Sequence, residues 1–122
     1  MATEKEVLAA FDKIQSEVPG FIACSLVDID SGMTLAVKSA RPDFDLSAAS
    51  ASNTEIVKQK QKTIRALGLK SQLEDMLLTL SDQLHLIKLV GQTSFVYLAA
   101  ERGTTNLAIM RNSVQKGTAG MS

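Results

Sequence analysis

The sequence predicts a mixed α/β fold of the α+β type, with elements in the order helix, two strands, long helix, three strands, helix. Three observations favour it: an apolar stretch after Gly20, a segment without proline or glycine from Leu46 to about Leu67, and three β-rich runs that follow it. No repeat or linker divides the chain. One domain is therefore expected over residues 1–122, ordered from about 3 to 117, with a frayed tail over 118–122.

The stretch from Gly20 to Val37 contains the strand around which the remaining elements are arranged. Successive side chains of a strand point to opposite faces, and both faces of the run from Phe21 to Val27 are apolar. A central strand covered by helices on both sides is therefore expected. Asp28 to Gly32 carries turn residues, and the β-rich run from Met33 to Val37 completes a hairpin.

The first and last helices carry recognisable end signals. Thr3 to Glu6 is a capping-box pattern, and an apolar stripe at helical spacing follows it until Pro19-Gly20. The last helix is expected to be capped by Thr104 or Thr105 and to end at Gly117.

The long helix is expected from Leu46 to about Leu67, capped by Asp43 or Asp45 at its start and by Gly68 at its end. Its first turns, Ser47 to Ser52, consist of small residues, which allow another backbone to approach closely. Two partners are compatible with this feature. The helix packs on its own sheet, or it also pairs with its copy in a second subunit.

Three strands are expected over Leu73 to Leu80, Leu84 to Val90 and Thr93 to Ala100, separated by short turns. The last is apolar on both faces, so it is expected beside the first strand of the chain, in the middle of the sheet. Leu73 and Leu77 are expected on one face of the first of these three strands, opposite Met76, Leu78 and Leu80.

The charge balance excludes some classes of partner. Thirteen basic and thirteen acidic side chains cancel, so the chain has no overall attraction for nucleic acid or an anionic membrane. No apolar run approaches the roughly 20 residues that span a bilayer, and the charged N-terminus lacks a signal sequence. The single cysteine suits a reducing compartment. A cytoplasmic protein without membrane insertion is expected.

Candidate chemical groups are few. His85 is expected as a satisfied polar residue, and Cys24 as a buried thiol in which the thiolate is disfavoured. Asp28 and Asp30 lie in a turn that lacks the further ligands of a calcium loop. We find no nucleotide-binding glycine loop, paired cysteines or catalytic triad. No enzymatic activity, cofactor or metal is therefore expected.

A run of basic residues follows the middle of the long helix. Between Glu55 and Lys70 the one acid is Glu55, and Lys58, Lys62 and Arg65 share a helix face. The run is either a solvated face or a docking surface for an acidic protein patch.

The chain resembles the roadblock/dynein light chain family, a branch of the profilin-like α/β folds. The motifs that carry the resemblance are Gly20-Phe21-Ile22 at the first strand, Asp28-Ile-Asp-Ser-Gly32 at the turn, Ala48-Ala49 in the long helix, and Asn106-Leu-Ala-Ile-Met-Arg111 opening the last helix. Together they span about Glu4 to Gly117. The resemblance implies a five-stranded antiparallel sheet with the long helix on one face and the two terminal helices on the other.

The resemblance also implies a function at surfaces. Members of the family form dimers in which long helices pack together and third strands pair, and these dimers regulate Ras-like small GTPases or serve as dynein light chains. We expect a homodimeric adaptor of a Ras-like small GTPase. The alternatives are a purely structural dimerisation subunit and a small-ligand sensor, which would need a polar-lined cavity that the apolar strands do not suggest.

A homodimer with two-fold symmetry is expected. In a monomer, the small-residue start of the long helix and the unpaired strand edge at Leu73 to Leu80 would both be exposed to unwanted association. The expected interface residues are Ala49, Ser52, Asn53, Ile56, Lys60, Leu73, Asp75 and Leu77. The expected partner-binding residues are Lys58, Lys62 and Arg65.

Overall fold

The computed structural model describes residues 2–121, and the order of its elements confirms the predicted fold class. The elements are α1 (Glu4–Glu17), β1 (Phe21–Asp28), β2 (Thr34–Ser39), α2 (Leu46–Ala66), β3 (Asp75–Thr79), β4 (Gln83–Val90), β5 (Ser94–Glu101) and α3 (Leu107–Thr118). No helix in this part of the chain is both long and apolar enough to cross a bilayer.

The five strands form one antiparallel sheet in the order β2-β1-β5-β4-β3. The chain's last strand thus lies at the centre, beside the first, as the two-faced apolar pattern predicts. Residues Phe95 to Ala100 of β5 are all buried. β1, β5 and β4 each pair on both sides, so β2 and β3 are the edges of the sheet.

Helices cover both faces of this sheet. On one face, Phe11 and Ile14 of α1 and Met110 and Val114 of α3 share a core with Leu98 and its neighbours. On the other face, Val57 of α2 packs in a second core that includes Phe95, Tyr97 and Ile87 of the central strands. Burying a large aliphatic side chain contributes about 1.5–3 kcal/mol, so these two cores stabilise the three layers.

Several helix ends lie where the sequence predicts them. The backbone N–H of Glu6 donates to Thr3 Oγ1 at 3.1 Å, and the Glu6 carboxylate accepts from the Thr3 N–H at 3.0 Å, which completes the capping box. Asp45 caps α2 by accepting from the Ala48 N–H at 3.0 Å. Gly68 follows the end of α2 with φ +71°.

The predicted ends of the last helix are wrong. Its N-cap is Asn106, which accepts from the Ile109 N–H at 3.0 Å, and neither Thr104 nor Thr105 caps it. The helix continues through Gly117 to Thr118. A Cβ at position 117 would lie 3.1 Å from Ile14 Cδ1, so glycine there lets α1 and α3 pack closely.

Part of the segment expected as a frayed tail packs against the rest of the protein. Thr118 is buried and still helical, and Met121 packs against the core shared by α1 and α3. Ser122 lies outside the described residues.

The predicted arrangement of the first strand after α2 is partly wrong. β3 begins at Asp75, and Leu73 precedes it in irregular backbone, so the alternation of a strand does not extend back to Leu73. Leu73 packs in the core beneath α2 with Met76 and Leu78, whereas Leu77 packs on the opposite face. Leu73 and Leu77 therefore do not share a face.

Gly20 offers a test of the junction between α1 and β1. It has φ +73°, and a Cβ on it would lie 2.0 Å from Thr104 Oγ1 and 2.9 Å from Glu101 Cβ. Gly68 has a similar φ of +71° but no atom within 4 Å of its Cβ position. We predict that Gly68→Ala costs about 1 kcal/mol of unfolding free energy through its backbone conformation. Gly20→Ala should cost about 1–3 kcal/mol more through steric conflict.

Urea denaturation of both variants measures this difference directly. Equal losses of stability would contradict the close packing at Gly20.

Candidate protein–protein interface

The outer surface of α2 carries three of the expected interface residues. Ser52, Ile56 and Lys60 are exposed, and Ile56 keeps 42% of its surface accessible. A shallow depression on this side of the helix includes Ile56 and Lys60 together with Gln59 and Thr63. The surface is thus a mixture of apolar and polar groups that is open to a partner.

Ala49 and Asn53 lie differently. Ala49 packs against the core beneath α2, and Asn53 is buried. The helix turns these two side chains toward its own sheet because Val57, which follows Asn53 by four residues, is the anchor of α2 in that core. Of the small residues Ser47 to Ser52, Ala49 and Ser50 therefore serve packing within the chain, and the other four are exposed.

The remaining expected interface residues belong to the region of the free sheet edge. β3 pairs with β4 alone among the described strands, so its outer backbone groups are available. Asp75 accepts two hydrogen bonds from the Arg111 guanidinium of α3, at 2.9 and 3.2 Å. The edge strand is thereby fixed to the last helix, while Leu73 and Leu77 contribute to the two cores.

The basic residues form a row along one flank of α2, which we call the basic row: Lys58, Lys62 and Arg65. Lys62 and Arg65 are exposed, whereas Lys58 is half-buried and its ammonium donates to the Asp30 carbonyl at 3.3 Å. Within residues 2–121 none of the three forms an ion pair. At 3.6 residues per turn the basic row lies roughly 150° around the helix from the side that carries Ile56.

A polar cluster beneath α2 is a feature that the sequence analysis missed. His85 Nε2 lies 2.8 Å from Gln83 Oε1, and His85 Nδ1 lies 3.1 Å from the Tyr97 hydroxyl. Since an amide oxygen only accepts, the fitting neutral tautomer carries its proton on Nε2, donates to Gln83 and accepts from Tyr97. Phe44 contacts both rings, with centroids 6.3 Å from His85 and 6.5 Å from Tyr97. His85 is thus a satisfied polar residue, as predicted.

Burial sets the protonation of this cluster. It raises the pKa of Tyr97 to about 12, against the smaller opposing effect of a hydrogen bond with Asn53. Burial likewise lowers the pKa of His85 below its usual 6.5, and the Asp82 carboxylate opposes this only weakly. Both groups are therefore neutral near pH 7.

The other candidate chemical groups have structural roles. Cys24 is fully buried in the core on the α1 side, and this burial raises the pKa of its thiol far above the ordinary value. Asp28 accepts from the Ser31 N–H and hydroxyl at 2.9 and 2.7 Å, bonds that lower its pKa and close the turn. In the described part of the chain, no three His, Cys, Asp or Glu side chains could hold a metal ion together.

The edge strand β2 is a second surface that the sequence analysis missed. Met33, Leu35 and Val37 are 65%, 49% and 48% exposed. Leu35 has no partner in the register with β1, where the pairing shifts between Leu26 and Val27. The alternation of apolar residues at 33, 35 and 37 was a visible signal, but it does not reveal that the strand lies at an edge.

Two pockets flank the turn between β4 and β5. One, of about 430 Å³, lies on the α1 side and is mainly apolar, with Val7, Leu26, Leu35 and Met121 in its wall. The other, of about 310 Å³, lies beside the end of α2 and includes Arg65.

No protein-family model and no curated protein matches this sequence. Solved structures match its fold. MglB from Myxococcus xanthus aligns with a TM-score of 0.85 at 13% identity, covering 97% of this chain and 93% of that one. The gliding protein MglB from Thermus thermophilus gives 0.83 at 14% identity, covering 97% and 87%. A Roadblock/LC7 domain from Streptomyces avermitilis gives 0.78 at 13% identity, covering 98% and 93%.

These matches show that the chain has a roadblock-like fold, of the profilin-like α+β class. The fold expected from the sequence resemblance is thereby confirmed.

The lowered pKa of His85 predicts how the stability of the fold depends on pH. Since its pKa is lowered in the folded state, the unfolded chain binds the proton more readily between that lowered pKa and 6.5. We predict that the unfolding free energy falls as the pH drops below about 6.5, because protonation of Nδ1 removes the acceptor of the Tyr97 hydroxyl.

Urea denaturation between about pH 7.5 and pH 5 tests this prediction. His85→Asn, which keeps an acceptor but does not titrate, should flatten the dependence over this interval, where no other histidine contributes. The same slope in both proteins would assign the effect to other groups.

Proposed function

We propose that this chain is a homodimeric, non-enzymatic adaptor that binds a Ras-like small GTPase and modulates its nucleotide cycle or its location. The observation that carries the proposal is the division of the outer surface of α2 into two flanks. One flank bears Ile56 and the other bears the basic row. A helix with two such flanks can pair with its copy and still present charge to another protein.

The fold supports this proposal. The family that the sequence resembles packs long helices together in dimers that regulate small GTPases, and in this chain the corresponding helix is α2. Two of the similar structures are MglB proteins, one of them named as a gliding protein. A further MglB structure is described as having a tetrameric arrangement, so assembly is observed for a protein with this fold.

Two surfaces contribute to the proposed dimer. The Ile56 side of α2 supplies exposed apolar area, and the outer edge of β3 supplies backbone donors and acceptors for pairing with a second copy. Pairing of two β3 edges would join the sheets of the subunits. Ser52 and Lys60 would then lie near the contact between the two α2 helices.

The charge of the basic row supports an acidic partner. Because the protein as a whole is neutral, its net charge does not attract a charged partner. A local group of positive side chains such as the basic row can still attract an acidic surface. Charges at the rim of an interface mainly raise the association rate. We therefore assign the basic row to steering a partner and the Ile56 flank to dimerisation.

Dimerisation is tested with a matched pair of variants. Ile56→Asp places a charge in the proposed interface, and we predict that it converts the dimer to a monomer at micromolar concentration. Ile109→Asp is the control, because Ile109 in α3 is 38% exposed, close to the 42% of Ile56, but lies in the opposite layer. It should remain dimeric.

Multi-angle light scattering gives the mass in each case. A wild-type particle with the mass of one chain would exclude the dimer, and a dimeric Ile56→Asp variant would exclude this flank.

GTPase binding is tested by reversing the charge of the basic row. We choose the double variant Lys62→Glu and Arg65→Glu, since Lys58 also donates to the Asp30 carbonyl. Association with a Ras-like GTPase from the same genome should slow by about tenfold at low salt and become less dependent on salt. The double variant Lys5→Glu and Lys13→Glu, with the same charge change on exposed positions of α1, is the control and should bind normally.

Stopped-flow measurement with the GTPase loaded with GDP or with a GTP analogue gives the rates and the nucleotide preference. The proposal fails if no such GTPase binds in either state, or if both double variants slow association equally.

A further inference from the structure

A polar pocket of about 310 Å³ lies between the C-terminal half of α2, the segment before β3 and the turn that joins β4 to β5. Its apolar wall is formed by Ile64, Leu73 and Leu89. The volume is at the lower end of the range for small-molecule sites. The apolar strands did not suggest such a cleft, because it forms at the end of a helix and not between strands.

The polar lining consists of donor-rich side chains. Gln61 and Arg65 come from α2, Ser71 and Gln72 from the segment before β3, and Gln92 from the turn after β4. Within residues 2–121 none of these five side chains makes a hydrogen bond to the protein. Three amides, a hydroxyl and a guanidinium are thus free to contact a ligand.

The charge of the pocket has one sign. Arg65 is the one charged residue in its lining, and it forms no ion pair in the described structure. The acids that are nearest in sequence, Glu74 and Asp75, do not line the pocket, and Asp75 is held by Arg111. A guanidinium presents two parallel N–H groups that match a carboxylate or a phosphate.

We propose that this pocket binds a small organic anion. The carboxylate or phosphate group of the ligand contacts Arg65, and a group about the size of one aromatic ring packs against Ile64, Leu73 and Leu89. The glutamine amides form hydrogen bonds with polar atoms of the ligand. The site shares Arg65 with the basic row, but its test uses the protein without a GTPase, so its failure is distinguishable from a failure of the proposed function.

The ligand class is tested by NMR titration of the ¹⁵N-labelled protein at constant ionic strength. The probes are benzoate, phenyl phosphate, neutral benzyl alcohol and inorganic phosphate. Benzoate or phenyl phosphate should shift the Arg65 Nε–H signal and the side-chain amides of Gln61, Gln72 and Gln92, with a Kd on the order of 1 mM for a ligand of this size. Binding of one anion only identifies the preferred group.

Two variants make the assignment specific. Arg65→Gln should weaken binding at least about tenfold, as expected for loss of the charge-assisted contact. Lys70→Gln removes the same charge from a nearby exposed residue outside the lining and should change the Kd by less than about twofold. The amide spectrum of each variant shows that it is folded.

Several results would overturn the proposal. These are the absence of shifts with both aromatic anions, equal binding of benzyl alcohol, equal binding of inorganic phosphate and phenyl phosphate, or an equal loss of affinity in the two variants. The absence of shifts would exclude a binding site here, and equal binding of benzyl alcohol would exclude a preference for anions. Equal binding of the two phosphates would exclude a role for the apolar wall, and an equal loss in both variants would show that general charge attraction explains the binding.

Discussion

Burial of the two central strands on both faces is the constraint on which this fold depends. β1 and β5 expose almost no side chain to water, so the sheet requires a helical layer on each side. The terminal helices supply one layer and α2 supplies the other. Because the first and last helices are used on one face, α2 is the one described helix that covers the opposite face, and its outer surface remains free.

The sequence predicts the arrangement of elements well because the apolar pattern that identifies each element is repeated along many residues. The apolar pattern of β5 places it in the centre of the sheet, and capping by Thr3 and Asp45 is decided by neighbouring residues. The end of α3 depends on contacts between distant residues. Gly117 lies inside the helix at a point where a Cβ would crowd Ile14 of α1, a proximity that no local rule contains. Asn106 competes with two threonines for one cap, and all three suit that position.

The candidate interface was less predictable for a geometric reason. Ala49, Asn53 and Ile56 follow one another at four- and three-residue spacing but straddle the boundary between the buried and exposed sides of α2, so this spacing alone does not separate Asn53 from Ile56. The pocket at Arg65 and the cluster of His85 with Tyr97 each join segments that are distant in sequence. Their residues become a group only when the strand order is known.

The hydrogen bond from Lys58 to the carbonyl of Asp30 links the basic row to the hairpin between β1 and β2. The Lys58 ammonium has three donors and uses one of them for this carbonyl, so it can serve the turn and an acidic group at the same time. A partner that contacts Lys58 would therefore lie beside the hairpin turn as well as on α2, and the footprint of the basic row extends beyond the helix that carries it.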